Sequence, residues 1–124
     1  MNVIAITSFS EKDKSDIRRL WEENMHESWD DYNGSDMFVV IHNGEFVGGF
    51  AVYRDNSDDI DGIFCSGWSG RHKNVPIADI LKQLTVNVGD VYFKTDQRTA
   101  KFLLEKIAKR VKTTDRFVYY ILKR

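Results

Sequence analysis

Apolar and polar positions follow a spacing that changes several times along the chain, and each change marks a predicted element. Residues 3–6 (VIAI) are a short apolar run that predicts a strand. In the polar SFSE that follows, Ser8 and Glu11 have the separation of a capping box, which predicts that a helix opens there. Ile17, Leu20, Trp21 and Met25 then fall on one helical face, with Trp29 a turn further on, before the pattern dissolves in the acidic, aromatic SWDDYNGSD. That stretch has room for a second, irregular helical turn. MFVVI and EFVGGFAVY follow, separated by His42, Asn43 and Gly44, and the Asn-Gly pair supplies the positive backbone angles of a tight antiparallel hairpin. RDNSDD predicts a polar turn and IDGIFCS a strand.

The stretch GRHKNVPIADILKQL changes character midway, from a glycine-led basic loop to an apolar stripe of Ile77, Ile80, Leu81 and Leu84 at helical spacing. Asn74 is placed to cap that helix, with Pro76 in the first turn, where a missing amide hydrogen costs nothing. DVYFKT (residues 90–95) predicts another strand. Ala100, Leu103, Leu104, Ile107, Ala108 and Val111 recur as one face of an amphipathic helix, and RFVYYIL closes the chain as a strand.

Composition fits one folded domain over residues 1–124: 42% hydrophobic, 13% aromatic, a single proline and no repetitive or linker-like segment. The opening MNVIAITSF is too short and lacks the basic flank of a signal peptide, and no apolar run approaches the ~20 residues of a membrane span, so a cytoplasmic protein is expected. The lone Cys65, inside the apolar IDGIFC, reads as a packed strand residue. Charge adds what periodicity does not. The net charge of −1 divides near Gly67: residues 1–66 hold five Lys or Arg against fourteen Asp or Glu, and residues 67–124 hold thirteen against five, giving −9 and +8. Solvated faces would explain this; so would an anionic ligand on the basic half and a cationic one on the acidic half, because surfaces of one sign concentrate ions of the other.

The element order β-α-β-β-β-α-β-α-β resembles that of the Gcn5-related N-acetyltransferase (GNAT) superfamily, and the short chain is similar to small bacteriophage acetyltransferase-like proteins. The segment VYFKTDQRTAKFLLEKIAKRVKTTDRFVYYILK is similar to the family's closing strand-helix-strand region, where the last helix opens with N-x-x-A-x-x-Φ-Y-E-K-Φ-G-F (Φ, apolar). Ala100, Leu103, Glu105, Lys106 and Ile107 fit; Gln97, Leu104, Ala108 and Lys109 replace the favoured Asn, Tyr, Gly and Phe. The resemblance implies an α/β (α+β) fold, a mixed twisted sheet of about six to seven strands with helices on both faces. Its N-terminal strands would be antiparallel, and residues 60–66 and 90–95 would form a parallel pair that splays at one end.

The resemblance also implies acetyl-CoA as co-substrate and an amine as acceptor. The family's Q/R-x-x-G-x-G/A loop surrounds the CoA pyrophosphate with amides at a helix N-terminus, where unpaired N–H groups and the macrodipole favour negative charge. Arg71, His72, Lys73, Asn74, Val75 and Pro76 stand in that loop here; Arg71 fits, while Asn74 and Pro76 replace both glycines and Pro76 removes an amide donor. Three basic-capable side chains would compensate with direct charge. Phe64, Cys65 and Ser66 lie in the strand whose backbone aligns the thioester in the family. Leu104 stands where the family places the tyrosine that protonates the departing thiolate; Tyr92, Tyr119 and Tyr120 are substitutes. Among Asp59, Asp61, Glu22 and Glu23, Asp61 is the preferred candidate general base.

Rival chemistries fit less well. His26, His42, His72 and Cys65 show no paired metal-ligand spacing. GWSGR carries only part of a nucleophile-elbow motif. A pI near 6.3 and an acidic first half oppose a general nucleic-acid binder. Two readings stand: an N-acetyltransferase acting on a cationic small-molecule or protein amine, with the Trp29–Tyr32 loop as lid, or an inactive scaffold of the same shape that binds a protein partner through that loop.

Overall fold

The computed structural model describes residues 2–32, 34–69 and 77–124, apart from the side chains of Asn2, Trp68 and Ser69. Among them are the strands β1 (Asn2–Ala5), β2 (Asp36–His42), β3 (Glu45–Ser57), β4 (Ile60–Ser69), β5 (Val91–Thr95), β6 (Lys109–Thr113) and β7 (Val118–Leu122). The α-helices are α1 (Glu11–Met25), α2 (Ile77–Val88) and α3 (Arg98–Ile107), with single 3-10 turns at Ile6–Ser8 and Trp29–Tyr32. The strands form one mixed sheet in the order β1-β2-β3-β4-β5-β7-β6, and only β4 and β5 pair in parallel. No helix of the described residues is long and apolar enough to cross a membrane.

Both faces of the sheet are covered because both halves of each strand's alternation carry apolar side chains. Trp21 of α1 packs on Met37 and Ala51. Ile80, Leu81 and Leu84 of α2 pack with Val52, Cys65, Val91 and Leu122. Ala51 and Val52 are consecutive on β3, so the two helices lie on opposite faces. Leu104 of α3 joins Val118 and Tyr120, and Leu103 and Ile107 extend into the α2 cluster, which puts α3 on the α2 face.

Three local expectations are corrected. The helix cap is Ser10, whose hydroxyl accepts from Asp13 N–H at 3.2 Å, while Ser8 ends a 3-10 turn. The segment RDNSDD is mostly strand: β3 continues to Ser57 in register with β4, and the turn is confined to Asp58 and Asp59, both at positive φ (49° and 66°). Aspartate tolerates that conformation, and two successive positive angles suit the twist of a hairpin. Finally, α3 stops at Ile107, and residues 109–113 form the edge strand β6 on β7. A register shift between Arg110 and Lys112 leaves Val111 exposed, so β6 has no buried face and no apolar alternation to reveal it. The Asn43-Gly44 hairpin turn is as expected, at φ 51° and 77°.

Candidate active site

The parallel pair meets at a single registered position, Phe64 opposite Tyr92, although β4 runs for ten residues. Beyond that point the strands separate, and the opening is a cleft of about 830 Å³. Cys65, Ser66 and Gly67 of β4 line one side and Phe93, Lys94 and Thr95 of β5 the other, with the end of α1 and the starts of α2 and α3 closing it. This is the expected splay, and of the β4 residues named from the sequence Cys65 and Ser66 line it while Phe64 does not. Ser66 and Lys94 each lie two residues past the Phe64–Tyr92 pair, so both project to the α1 face, across the opening from one another.

A second cavity of about 430 Å³ lies on the α1 face, lined by Glu27, Asp31, Tyr32, Ser35 and Tyr53. Glu27 lines both cavities. The Tyr53 hydroxyl is 2.8 Å from Ser66 Oγ, which ties the small cavity's wall to the edge of the cleft. Tyr32 donates to the Glu27 carboxylate. Burial raises the Tyr32 hydroxyl far above its ordinary range, reinforced by the acceptor Glu27; burial likewise raises Tyr53. Both stay protonated at neutral pH and available as donors. The aromatic loop is held by T-shaped contacts of Trp21 with Trp29 and Tyr32, at 5.7 and 5.1 Å between centroids.

The predicted site residues divide. Phe64 is buried among Tyr53, Tyr92 and Tyr119. Cys65 and Ser66 line the cleft; burial pushes the Cys65 thiol up, which disfavours its nucleophilic thiolate. Arg71, His72, Lys73, Asn74 and Val75 lie outside the described residues, in the segment joining β4 to α2. Asp61 lines neither cavity: it is exposed, ion-paired with Arg54 at 3.4 Å, and by alternation projects to the face opposite Ser66. Leu104 is buried and lines the cleft. None of the proposed tyrosine substitutes lines the cleft: Tyr120 donates to Glu105 at 2.9 Å, Tyr119 to Asp58, and the Tyr92 ring packs over Gly62 and Phe64. Glu27 and Lys94 were missed, whereas Asp31 belongs to the acidic loop expected to act as a lid. Glu27 follows the end of α1, and no periodicity could tell that this residue lines the cleft beside β4.

No family model matches the chain, and no curated protein is detectably similar in sequence. Among solved structures, the N-acetyltransferase PseH of Campylobacter jejuni superposes with a TM-score of 0.62 at 8% identity, covering 99% of this chain and 97% of that one. PseH in complex with acetyl coenzyme A superposes at 0.60 with 10% identity, covering 99% and 98%. An acetyltransferase of the GNAT family from Streptococcus pneumoniae gives 0.43 at 11% identity over 70% of this chain and 64% of its own. The end-to-end match to PseH, with the splayed parallel pair at its centre, shows that this chain has the fold of the Gcn5-related N-acetyltransferases that its sequence resembles.

Proposed function

We propose that the protein transfers an acetyl group from acetyl-CoA to a cationic amine. The observation that carries this is the meeting of two cavities at Glu27: a long cleft at the β4–β5 splay and a smaller pocket holding two carboxylates. The PseH structure with acetyl coenzyme A has the same fold, and a cleft of about 830 Å³ is large enough for much of such a ligand. The backbone of Cys65 and Ser66, at the point where β4 leaves β5, is available to align a thioester. Arg71, His72 and Lys73, between β4 and α2, are proposed to supply charge to the pyrophosphate.

On the acceptor side, Glu27 and Asp31 attract an ammonium group, and Glu27, lining both cavities, is placed to take its proton, because only the neutral amine attacks. The Tyr53–Ser66 pair sits at the junction, where hydroxyl donors can orient a carbonyl oxygen. In this reading Asp61 is a surface ion-pair partner and Glu27 takes the role of base.

The test is calorimetric titration with acetyl-CoA, followed by free-thiol release with primary amines that carry a second positive charge. Binding is expected, with Arg71→Glu weakening it strongly. Glu27→Gln should retain binding and lower turnover by about 10²–10⁴-fold, the usual range for loss of general acid-base help. Absence of binding at millimolar acetyl-CoA overturns the enzyme reading and leaves the protein-binding scaffold.

A further inference from the structure

Glu27 lines both cavities, yet nothing in its own backbone setting fixes its carboxylate. His26 ends α1 in the left-handed conformation, at φ 56°, and turns the chain off the helix, so that Glu27 stands outside α1 and is exposed. An exposed glutamate samples several rotamers, whereas a base has to sit within hydrogen-bond reach of the proton it takes. The restraint comes from Tyr32. Its hydroxyl donates to Glu27 Oε2 and, among the described residues, is the one side-chain donor on that carboxylate. The neighbouring carboxylates are engaged elsewhere: Arg18 pairs with both Glu22 and Asp30 at 3.4 Å.

Tyr32 is itself held on several sides. Its ring meets Trp21 edge-on at 5.1 Å, and Trp21, 1% exposed, is packed on Met37 and Ala51. Its carbonyl oxygen accepts from Ser35 N–H at 3.0 Å. Trp29, at the start of the same 3-10 turn, packs on Trp21 and donates its N–H to the Glu22 carboxylate at 3.1 Å. The hydroxyl is therefore presented from a fixed arm, and burial keeps it protonated at neutral pH. Tyr53, the other tyrosine of the small cavity, has its hydroxyl on Ser66 instead.

We infer that Tyr32 is a positioning residue of the proposed transfer, acting through Glu27: its hydroxyl fixes one carboxylate oxygen and leaves the other to take the proton of the acceptor amine. This rests on the acetyltransferase reading above. The ammonium gives one proton to Glu27, which passes it to solvent. The neutral nitrogen then bonds to the acetyl carbonyl carbon, and the carbon–sulfur bond breaks with its electron pair leaving on sulfur. The proton shed by the new amide nitrogen reaches the thiolate by way of water. Tyr32 keeps its own proton throughout.

The experiment compares the unmodified protein with Tyr32→Phe, which keeps the ring on Trp21 and removes only the hydroxyl, in acetyl transfer to diaminobutane. Calorimetric titration should give the same acetyl-CoA affinity for both, because Tyr32 lines the small cavity and not the cleft. The turnover number is expected to fall by about 10–100-fold, the scale of one hydrogen bond to a charged group. In a Glu27→Gln background the same change should make little further difference. Tyr53→Phe removes a hydroxyl of the same cavity that serves Ser66, and should lower turnover by the same factor in either background. A Tyr32 hydroxyl that merely stabilised the loop would also act alike in both. Should Tyr32→Phe melt early, the cycle is run at a temperature where every variant is folded, and its non-additivity remains the readout. Full turnover by Tyr32→Phe or by Glu27→Gln, or equal factors for Tyr32→Phe in the two backgrounds, overturns the role of Tyr32 while leaving acetyl transfer in place. No acetyl-CoA binding by the unmodified protein, or binding with no transfer to any amine, overturns the acetyltransferase reading and this assignment with it.

Discussion

Gly67 shows how a single hydrogen in place of a side chain positions the cleft. It pairs with Phe50 across the β3–β4 ladder and lines the cleft. A Cβ there would lie 2.3 Å from the Phe50 ring and 2.6 Å from the Gly49 carbonyl oxygen. The ring could turn; the carbonyl belongs to the ladder and could not yield without moving β4 off β3. Gly67→Ala is therefore expected to destabilise the fold by about 1–3 kcal/mol, the usual cost of overpacking. Urea denaturation should show it as a lower midpoint at unchanged slope. The close approach of two backbones is the reason a glycine suits this position.

At the scale of elements, the two possible caps of α1 make a sharp comparison. SFSE contains serines at 8 and 10, and Ser8 with Glu11 has the more familiar box spacing, but Ser10 makes the bond, to Asp13 N–H. Ser10→Ala is expected to cost about 1 kcal/mol, and Ser8→Ala, at an exposed position, less than about 0.5 kcal/mol. Equal effects in chemical denaturation would contradict this placement of the cap. The boundary of α3 follows the same logic. Ala108 and Val111 continue the helical stripe in sequence, yet the chain turns extended at Ala108, where β7 offers a free edge for residues 109–113 to pair with. Local periodicity carries no information about that distant edge.

Across the whole molecule, the charge asymmetry becomes spatial. The acidic half of the sequence builds β1 to β4 and α1, the basic half builds α2 through β7, and the cleft at the β4–β5 splay is the seam between them. Two carboxylates knit the C-terminal half together. Asp90 accepts from Arg124 N–H at 2.8 Å and pairs with Lys123, and Glu105 pairs with Arg110 and accepts from Tyr120. The Arg124 amide holds the Asp90 carboxyl below the usual range, and Arg110 does the same for Glu105. Folded-state values below the unfolded ones mean that these groups contribute stability above about pH 4–5 and lose it as pH falls through their folded values. Thermal melts should therefore show a midpoint that declines on acidification below about pH 5, and less steeply in an Asp90→Asn, Glu105→Gln double variant. An equal decline in both proteins would show that other carboxyls carry the acid sensitivity.

What the sequence determined by itself was whatever depends on neighbours in the chain. The three amphipathic stripes, the Asn43-Gly44 hairpin and the order of most elements were legible because side-chain period and turn chemistry act over a few residues. The parallel pairing of β4 with β5 and its splay were expected only through the family resemblance. Tertiary structure alone decided the rest of the site. Tyr53 of β3 and Ser66 of β4 meet because register and strand alternation send both to the α1 face, where Glu27, just past α1, lines the two cavities beside them. Asp61 lies five residues from Ser66 in sequence, an odd step along an extended strand, so the same alternation that gathers the site turns it to the opposite face.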